Sequence, residues 1–357
     1  MPRLERRAAP SRRAMLAAPF VAVVFTLMVS SLLVAWAGAP LARAYALLLE
    51  GGFGSRFAWG ETLTRATPLI LTGLAAAVAF RARLFNIGAE GQLYLGALAA
   101  VAVGGLHGGD GFALSPWLLF PLMLLAAALA GALLLLVPAL MKSRLGVDEV
   151  VTTLLLNFVV LLFVSLMLDG PMKDPMAMGW PQSVALQDGV QLGKLVERSR
   201  VHTGLLIALG LALLLWALLK FTTTGFQIRA LGANARAAAF AGMPVGWVTV
   251  KVALLSGALA GLAGAVEVAG RTGYLTLDMS PGYGYSGIVI AMLAGLHPLG
   301  VVAAAVFVAG ILVGADSMSR AVAVPTYIAD VIVSVSLLSM LVAGLAAQYR
   351  LRWGAAA

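Results

Sequence analysis

The sequence contains no cysteine and little charge, since only 11% of its 357 residues are Asp, Glu, Lys or Arg. The absence of cysteine excludes disulfide bonds, zinc sites built on thiolates and thiol nucleophiles. A soluble globular domain carries about a quarter charged residues, so the low charge, the 61% hydrophobic content and the mean hydropathy of +0.98 exclude that class. The composition predicts a polytopic protein that is solvated by the lipid bilayer.

Lysine is also scarce, and its positions exclude a nucleotide-binding loop. No lysine stands in the GxxxxGK[ST] pattern that cradles phosphates, so we expect no ATPase site and no enzymatic activity in this chain. We also predict no metal site. The net charge of +9 would favour nucleic acid in a soluble protein, but here the basic residues lie between apolar runs, so we expect no nucleic-acid partner.

Apolar runs dominate the chain between residues 15 and 346. A helix needs about 20 apolar residues to cross a hydrocarbon core of about 30 Å. The runs therefore predict an all-α fold with about ten transmembrane helices, between a basic N-terminus (1–14) and a short C-terminus (347–357). The predicted spans are approximately Met15–Ala37, Glu61–Phe80, Ile87–Leu106, Pro116–Leu140, Asp148–Leu168, Thr203–Lys220, Trp247–Val268, Gly282–Leu296, Leu299–Ala315 and Pro325–Ala346.

Basic residues indicate how the chain is oriented. The N-terminal segment PRLERRAAPSRR is rich in arginine, and no small-residue cleavage site follows it, so we expect an anchor rather than a cleaved signal peptide. With an even number of crossings, the larger share of Lys and Arg falls on the side of the N-terminus. The positive-inside rule then predicts that both termini are cytoplasmic.

Two connections are too long to be plain turns. Residues 169–202 form a polar segment that the orientation places outside, as a small cap. Residues 221–246, FTTTGFQIRALGANARAAAFAGMPVG, lie inside. Within them, Asn234 is a good N-cap, Gly242 suits a left-handed C-terminal cap, and Pro244 stops continuation, which predicts a helix of about two turns. This helix either lies on the bilayer surface or docks into a cytoplasmic partner.

Several phrases resemble one protein family. GFQIRALGANARAAAFAGMPV resembles the coupling segment of permease subunits in bacterial ABC importers of the sugar, nucleoside and branched-chain amino acid type. Other phrases are similar to the nucleoside and simple-sugar branch of that family, and the match runs from about Glu61 onward. Asp148 departs from the Asn that this branch most often shows. The matching phrases are FNIGAEGQLYLGALAA (85–100), GVDEVVTTLLLNFV (146–159), GYGYSGIVIAMLAGLHPLG (282–300) and VPTYIADVI (324–332).

The resemblance implies a translocation subunit for nucleosides or related simple sugars in a bacterial inner (plasma) membrane. It also implies a second permease subunit in a heterodimer, an extracytoplasmic substrate-binding protein, and a separate cytoplasmic ATPase that binds the ATP. Transport of ribose or a branched-chain amino acid, or ion-coupled secondary transport, are the alternatives. The ATPase is expected to contact residues of the coupling segment, namely Arg229, Gly232, Asn234, Arg236, Phe240 and Gly242.

Polar side chains within the predicted spans are candidates for the substrate pathway, because polar groups in hydrocarbon tend to mark a packed interior or a pathway. Each has a local alternative. Asn86 is placed to cap the third span, and Glu90 either gates the path or pairs with Arg81 or Arg83. The candidate pathway residues are Asn86, Glu90, Gln92, Asn157, Tyr283 and Tyr285.

Asn157 lies near the expected midplane, where its amide suits a sugar hydroxyl or an interhelical hydrogen bond. Tyr283 and Tyr285 stand in a short, glycine-broken segment that is typical of discontinuous transporter helices, although tyrosine also anchors helices at membrane interfaces. Whether this segment crosses or re-enters the bilayer stays open. Glu267 near a span end is expected to pair with Arg271. The small residues Gly96, Ala100, Gly104, Gly257 and Gly261 predict close helix packing.

A GxSG pattern at Gly284–Gly287 is the one feature that would suit an intramembrane serine protease. Its Ser286 needs a histidine on a neighbouring helix. His297 lies on the same segment, about 16 Å away if the segment is helical. We therefore do not favour a protease.

Overall fold

A computed structural model describes residues 2–6, 12–36, 38, 40–105, 115–322 and 349–353, with scattered positions between 331 and 343. The predicted tenth span, Pro325–Ala346, falls largely outside the described residues. The helices are α1 (Arg12–Trp36), α2 (Leu41–Phe53), α3 (Arg56–Arg81), α4 (Ala89–Gly104), α5 (Pro116–Leu145), α6 (Glu149–Asp169), α7 (Gly204–Phe221), α8 (Thr223–Ala233), α9 (Ala235–Phe240), α10 (Val245–Glu267), α11 (Tyr283–Leu293) and α12 (Pro298–Val322).

The described helices confirm the all-helical class of the membrane region. Six of them, α3, α5, α6, α7, α10 (continued to Thr272) and α12, are long and apolar enough to span, and α1 with α2, bent by 118°, would make a seventh. Helix α4 has 16 residues and α11 has 11, which correspond to about 24 Å and about 17 Å. Neither helix is therefore long enough to cross the hydrocarbon core by itself. The count of ten spans stays a prediction.

The chain divides into two compact units. The first comprises Met1–Thr62 and Phe307–Ala357. In it a short antiparallel sheet joins the ends of the chain, with β1 (Pro2–Arg6) paired to β2 (Tyr349–Trp353). Helix α2 was not predicted, because its 13 residues include Arg43 and Glu50 and fall short of a span. Its glycines and those of α12 approach closely enough that no Cβ would fit between them; these are Gly51, Gly52, Gly310 and Gly314.

The second unit, Leu63–Val306, is built around α10. This helix contacts α5 and α4 over most of its length, and glycines form the contact. Gly96 of α4 meets Gly261, and Gly131 of α5 meets Gly257, each so closely that a Cβ would overlap the partner's backbone. The predicted close packing at Gly96, Gly257 and Gly261 is confirmed. Without a strong hydrophobic force between helices in lipid, such backbone approach supplies dispersion contacts.

The long connection after α6 is ordered by backbone hydrogen bonds to neighbouring loops. Ser183 N–H donates to the Leu275 carbonyl at 3.0 Å, and Leu186 N–H donates to the Gly273 carbonyl at 2.8 Å. Further along, Leu192 N–H donates to the Ala269 carbonyl at 2.8 Å. Because the partners lie in the connection between α10 and α11, the segment 170–203 and that connection form one layer.

Candidate functional site

Asn86 and Gln92 form a reciprocal pair of amides at the start of α4. Asn86 Nδ2 donates to Gln92 Oε1 at 2.9 Å, and Gln92 Nε2 donates to Asn86 Oδ1 at 2.9 Å. Asn86 Nδ2 also donates to Ser256 Oγ of α10 at 3.1 Å, and that hydroxyl donates to the Ala75 carbonyl of α3 at 2.8 Å. The prediction that Asn86 caps this helix is wrong, since Gly88 precedes α4 as its cap residue. The pair instead links three helices.

Glu90 lies in the first turn of α4 and binds the first turn of a different helix, α11. Its side chain is 4% exposed, and its Oε2 accepts the Gly284 N–H at 2.6 Å. The Gly282 amide and the Ser280 hydroxyl lie close to the same carboxylate. The first N–H groups of a helix have no partner within it, and the helix dipole favours an anion there. Glu90 therefore caps α11 together with the Ser280 hydroxyl, which accepts the Tyr283 N–H at 2.9 Å.

The expected ion pair of Glu90 with Arg81 or Arg83 is accordingly wrong. The carboxylate is engaged on the side of α11 instead. Gly284 makes this approach possible, because a Cβ at that position would overlap the Glu90 amide. The sequence could not separate these alternatives, since the hydrogen-bonded residues are 194 positions apart.

Asn157 of α6 caps α4 in the same manner. Its Oδ1 accepts the Gly91 N–H at 2.8 Å, and its Nδ2 donates to the Ile87 carbonyl at 3.0 Å and to the Tyr285 hydroxyl at 3.1 Å. The side chain is fully buried. Of the two alternatives for Asn157, the structure shows the interhelical hydrogen bonds. It joins α6, α4 and α11 in one polar junction.

Tyr283 and Tyr285 occupy different surroundings. Tyr283 is 1% exposed, and its hydroxyl accepts a hydrogen bond from Arg271 at 3.2 Å. Tyr285 is 40% exposed while its hydroxyl accepts from Asn157. Among the six predicted pathway residues, Tyr285 is the one with a substantial free surface. The other five are buried in what we call the α4–α11 junction, formed by Asn86, Glu90, Gln92, Asn157 and Tyr283 with their partners.

Two further residues stabilise the junction. Glu267, fully buried at the end of α10, pairs with Arg271 at 2.6 Å, as expected. Tyr94 was missed by sequence reasoning. Its hydroxyl donates to the Leu277 carbonyl at 2.5 Å and accepts the Ser280 N–H at 3.2 Å. A buried tyrosine requires such a partner, but nothing local to Tyr94 indicates which loop supplies it.

The segment 221–246 forms two helices followed by α10. The predicted short helix is confirmed as α9: the Asn234 side chain accepts the Ala237 N–H at 3.1 Å, and Gly242 has φ of +80°. Helix α8 was missed. Gly232 on α8 lies so close to the Arg81 carbonyl that a Cβ would overlap it. The predicted coupling residues with exposed side chains are Arg229, Asn234, Arg236 and Phe240, and Phe240 is 96% exposed.

Comparison with known proteins identifies the family. Residues 58–346 match the model described as "Branched-chain amino acid transport system / permease component". The guanosine ABC transporter permease protein NupP of Bacillus subtilis is 36% identical over 90% of this chain and 91% of its own length. The glucose ABC transporter permease protein TsgB13 of Haloferax volcanii is 36% identical over 86% of this chain and 82% of its own. NupQ, a guanosine ABC transporter permease protein of Bacillus subtilis, is 31% identical over 69% of this chain and 77% of its own.

These matches cover the α4–α11 junction and the α8–α9 segment together, so the resemblance read from the sequence phrases is confirmed. The chain belongs to the branched-chain amino acid transport system permease family, as a multi-pass plasma-membrane component without an ATPase site.

Proposed function

We propose that this chain forms the translocation pathway for nucleosides or related simple sugars in an ABC importer. The observation that carries the proposal is the identity of 36% to a permease named for guanosine over nine-tenths of the chain, with a glucose permease at the same identity. Both solutes are neutral and rich in hydroxyl groups. A path for them needs neutral hydrogen-bonding groups rather than a row of charges.

Tyr285 is the residue that we propose contacts the solute. Its hydroxyl is held by Asn157, while its ring keeps a free surface. The other predicted pathway residues, Asn86, Glu90, Gln92 and Tyr283, act through the backbone that they hold. Glu90 fixes the first turn of α11, which carries Tyr285. The junction thus sets where the pathway residue stands, and its own polar groups are already satisfied by protein.

For the membrane topology we propose about ten crossings with both termini in the cytoplasm. The antiparallel pairing of β1 with β2 supports an even number, because paired strands from the two ends lie on one side of the bilayer. The arginine-rich N-terminus supports the cytoplasm as that side. We propose that α4 and α11 are broken spans whose crossings are completed by the non-helical backbone beside them, since both helices are short and their first turns are capped by side chains of neighbouring helices.

Members of this family work with an ATPase and a substrate-binding protein. We propose that the ATPase docks on α9, where Arg236 and Phe240 are exposed. An exposed phenylalanine on a helix of six residues is unfavourable in water, and it would be stabilised by insertion into an apolar groove of a partner protein. The ATP-driven movement of α9 would then alternate the access of the pathway. We further propose a heterodimer with a second permease, since NupP and NupQ are two guanosine permease proteins of one organism.

Solute uptake tests the substrate class. Cells with and without the gene receive radiolabelled guanosine, uridine or glucose, with unlabelled ribose and leucine as competitors. We expect gene-dependent uptake of a nucleoside or glucose that ribose and leucine do not suppress. Gene-dependent uptake that ribose or leucine abolishes would assign the permease to that solute instead.

The energy source distinguishes an ABC importer from an ion-coupled carrier. In cells whose ATP is maintained, collapse of the membrane potential should leave uptake intact. Loss of uptake under that condition would contradict the proposal, because an ion-coupled carrier depends on the potential.

A further inference from the structure

A cleft lined by basic side chains lies beside α8, apart from the α4–α11 junction. It encloses about 150 Å³ and is lined by three residues that carry a full positive charge and by one histidine. The lining residues are Arg81 at the end of α3, Lys220 at the end of α7, Arg229 of α8, His297 before α12, and the apolar Trp216, Leu219 and Pro298. No carboxylate is among them.

The cations of this cleft have no acidic partner within the part of the chain that the structure describes. Arg81 and Arg229 are close enough to repel each other. Lys220 Nζ lies 4.9 Å from the centre of the Trp216 ring and 5.1 Å from that of Phe221, which are cation–π contacts and not ion pairs. His297 Nδ1 accepts the Gly300 N–H at 3.4 Å, so Nε2 is the ring nitrogen left to donate to an anion.

Like charges gathered in a partly enclosed cleft raise the energy of the fold unless an anion joins them. Two guanidinium groups favour an oxyanion with several acceptor oxygens, since each can donate two parallel hydrogen bonds to it. Lysine and histidine add single donors to the same anion. The chemistry of the cleft therefore fits a phosphate group better than a lone carboxylate.

The surroundings of the cleft indicate where that phosphate comes from. Lys220 ends an apolar span, α7, whose Leu213 and Leu214 are exposed as lipid-facing residues are. Phe221 is 68% exposed beside Trp216, and the two rings meet edge to face at 5.5 Å. Aromatic rings next to basic groups at the end of a span mark the level of the lipid headgroups.

We propose that the cleft formed by Arg81, Lys220, Arg229 and His297 binds the phosphate group of an anionic phospholipid. The bound headgroup bridges α3, α7, α8 and the start of α12, and so holds α8, from which α9 projects. Assignment of this lipid to the cytoplasmic leaflet rests on the proposed orientation of the chain. The proposal that the cleft binds an anion does not depend on that orientation, because it is argued from the unpaired cations.

Retention of lipid by the purified protein tests this site. The full chain is purified in detergent, phosphatidylglycerol or phosphatidylcholine is added, and bound lipid is counted by native mass spectrometry. Arg81 and Lys220 are replaced together by Gln, while Arg229 is kept because it belongs to the coupling segment. The matched control, Arg144→Gln with Lys251→Gln, removes two cations outside the cleft. We expect the cleft variant to lose about fivefold in phosphatidylglycerol affinity per charge, and the control to lose none.

Two further arms keep the outcome interpretable. Arg81→Lys with Lys220→Arg retains the charges and should retain the lipid, which separates charge from misfolding. Inorganic phosphate is titrated against the bound lipid: displacement only far above the lipid concentration supports a headgroup site, whereas displacement at equal concentration would assign a free phosphate instead. Equal retention of both lipids, or equal loss in the control variant, would overturn the proposal. Because lipid binding is measured without transport, failure of uptake leaves this result untouched.

Discussion

The α4–α11 junction and the α8–α9 segment are both polar, but they differ in whether the polar groups are satisfied. In the junction, Glu90 and Asn157 are buried and bonded to the first turns of neighbouring helices. On α8 and α9, Arg229, Arg236 and Phe240 are exposed. A satisfied polar group in a membrane protein holds the fold, whereas an unsatisfied surface is available to something outside the chain. Substitutions in the junction should therefore lower the stability of the protein, whereas substitutions on α8 and α9 should impair the coupling of ATP hydrolysis to transport.

The largest effect on transport should come from α9. Replacing Arg236 and Phe240 together by Asp reverses a charge and removes the apolar anchor of the docking surface. We expect uptake to fall to the level of cells without the gene, measured with the labelled solute that the wild type carries. The free energy of unfolding should change by no more than about 0.5 kcal/mol, because both side chains are on the surface.

Arg144→Asp serves as the control for α9, since it reverses an exposed charge on a helix end outside that segment. Its uptake should stay normal. Normal uptake in the Arg236 and Phe240 double variant would remove the docking role of α9 and leave the alternative that it lies on the bilayer surface.

The largest effect on stability should come from Glu90→Ala. The change leaves the Gly284 amide without its acceptor in a buried site and removes the carboxylate beside the Gly282 amide and the Ser280 hydroxyl. An unsatisfied buried donor costs about 1–3 kcal/mol, so we expect a loss of about 2–3 kcal/mol, read from thermal unfolding in detergent. Glu90→Gln, which keeps an acceptor oxygen, should lose less. An equal loss in Glu197→Gln, an exposed site in the connection after α6, would show that the assay does not report the junction.

Tyr283 and Tyr285 allow a structural role in the junction to be distinguished from direct contact with the solute. Tyr285→Phe removes the hydroxyl at the exposed position, and we expect the KM for uptake to rise about fivefold, the value of about one hydrogen bond. Tyr283→Phe removes a buried hydroxyl that accepts from Arg271. It should lower thermal stability and leave KM unchanged. A rise in KM for Tyr283→Phe alone would exchange the roles of the two residues.

How far the sequence predicts each region follows from where the hydrogen-bond partners lie. Helix α9 is predicted correctly because its caps, Asn234 and Gly242, are within the segment itself. The caps that α4 and α11 receive from other helices are not predictable in this way. Asn157 reaches Gly91 across 66 positions, and Glu90 reaches Gly284 across 194. A single sequence shows which polar residues are unusual in hydrocarbon, but not the helix that each one serves.

His202 differs from both regions. It is buried, as the junction residues are, but its two ring nitrogens have no hydrogen-bond partner among the described residues. The ring lies against Gly204 and Gly270. Burial lowers the pKa of His202 from 6.5 to about 4. The folded protein therefore holds the His202 ring neutral, whereas the unfolded chain can protonate it at pH 6.5 and below. The free energy of unfolding is at its full value above pH 6.5 and decreases as the pH falls toward 4.

At pH 5.5, one unit below the unfolded pKa, the loss should be about 1 kcal/mol, measured as the fall in thermal stability relative to pH 7.5. His202→Leu cannot titrate, and we expect its stability to change less than that of the wild type over this interval. His297→Leu, an exposed histidine, should follow the wild type. If His202→Leu lost as much thermal stability between pH 7.5 and pH 5.5 as the wild type does, other groups would be responsible for the acid sensitivity. Protonation of the buried His202 ring would then have no effect on the stability of this fold.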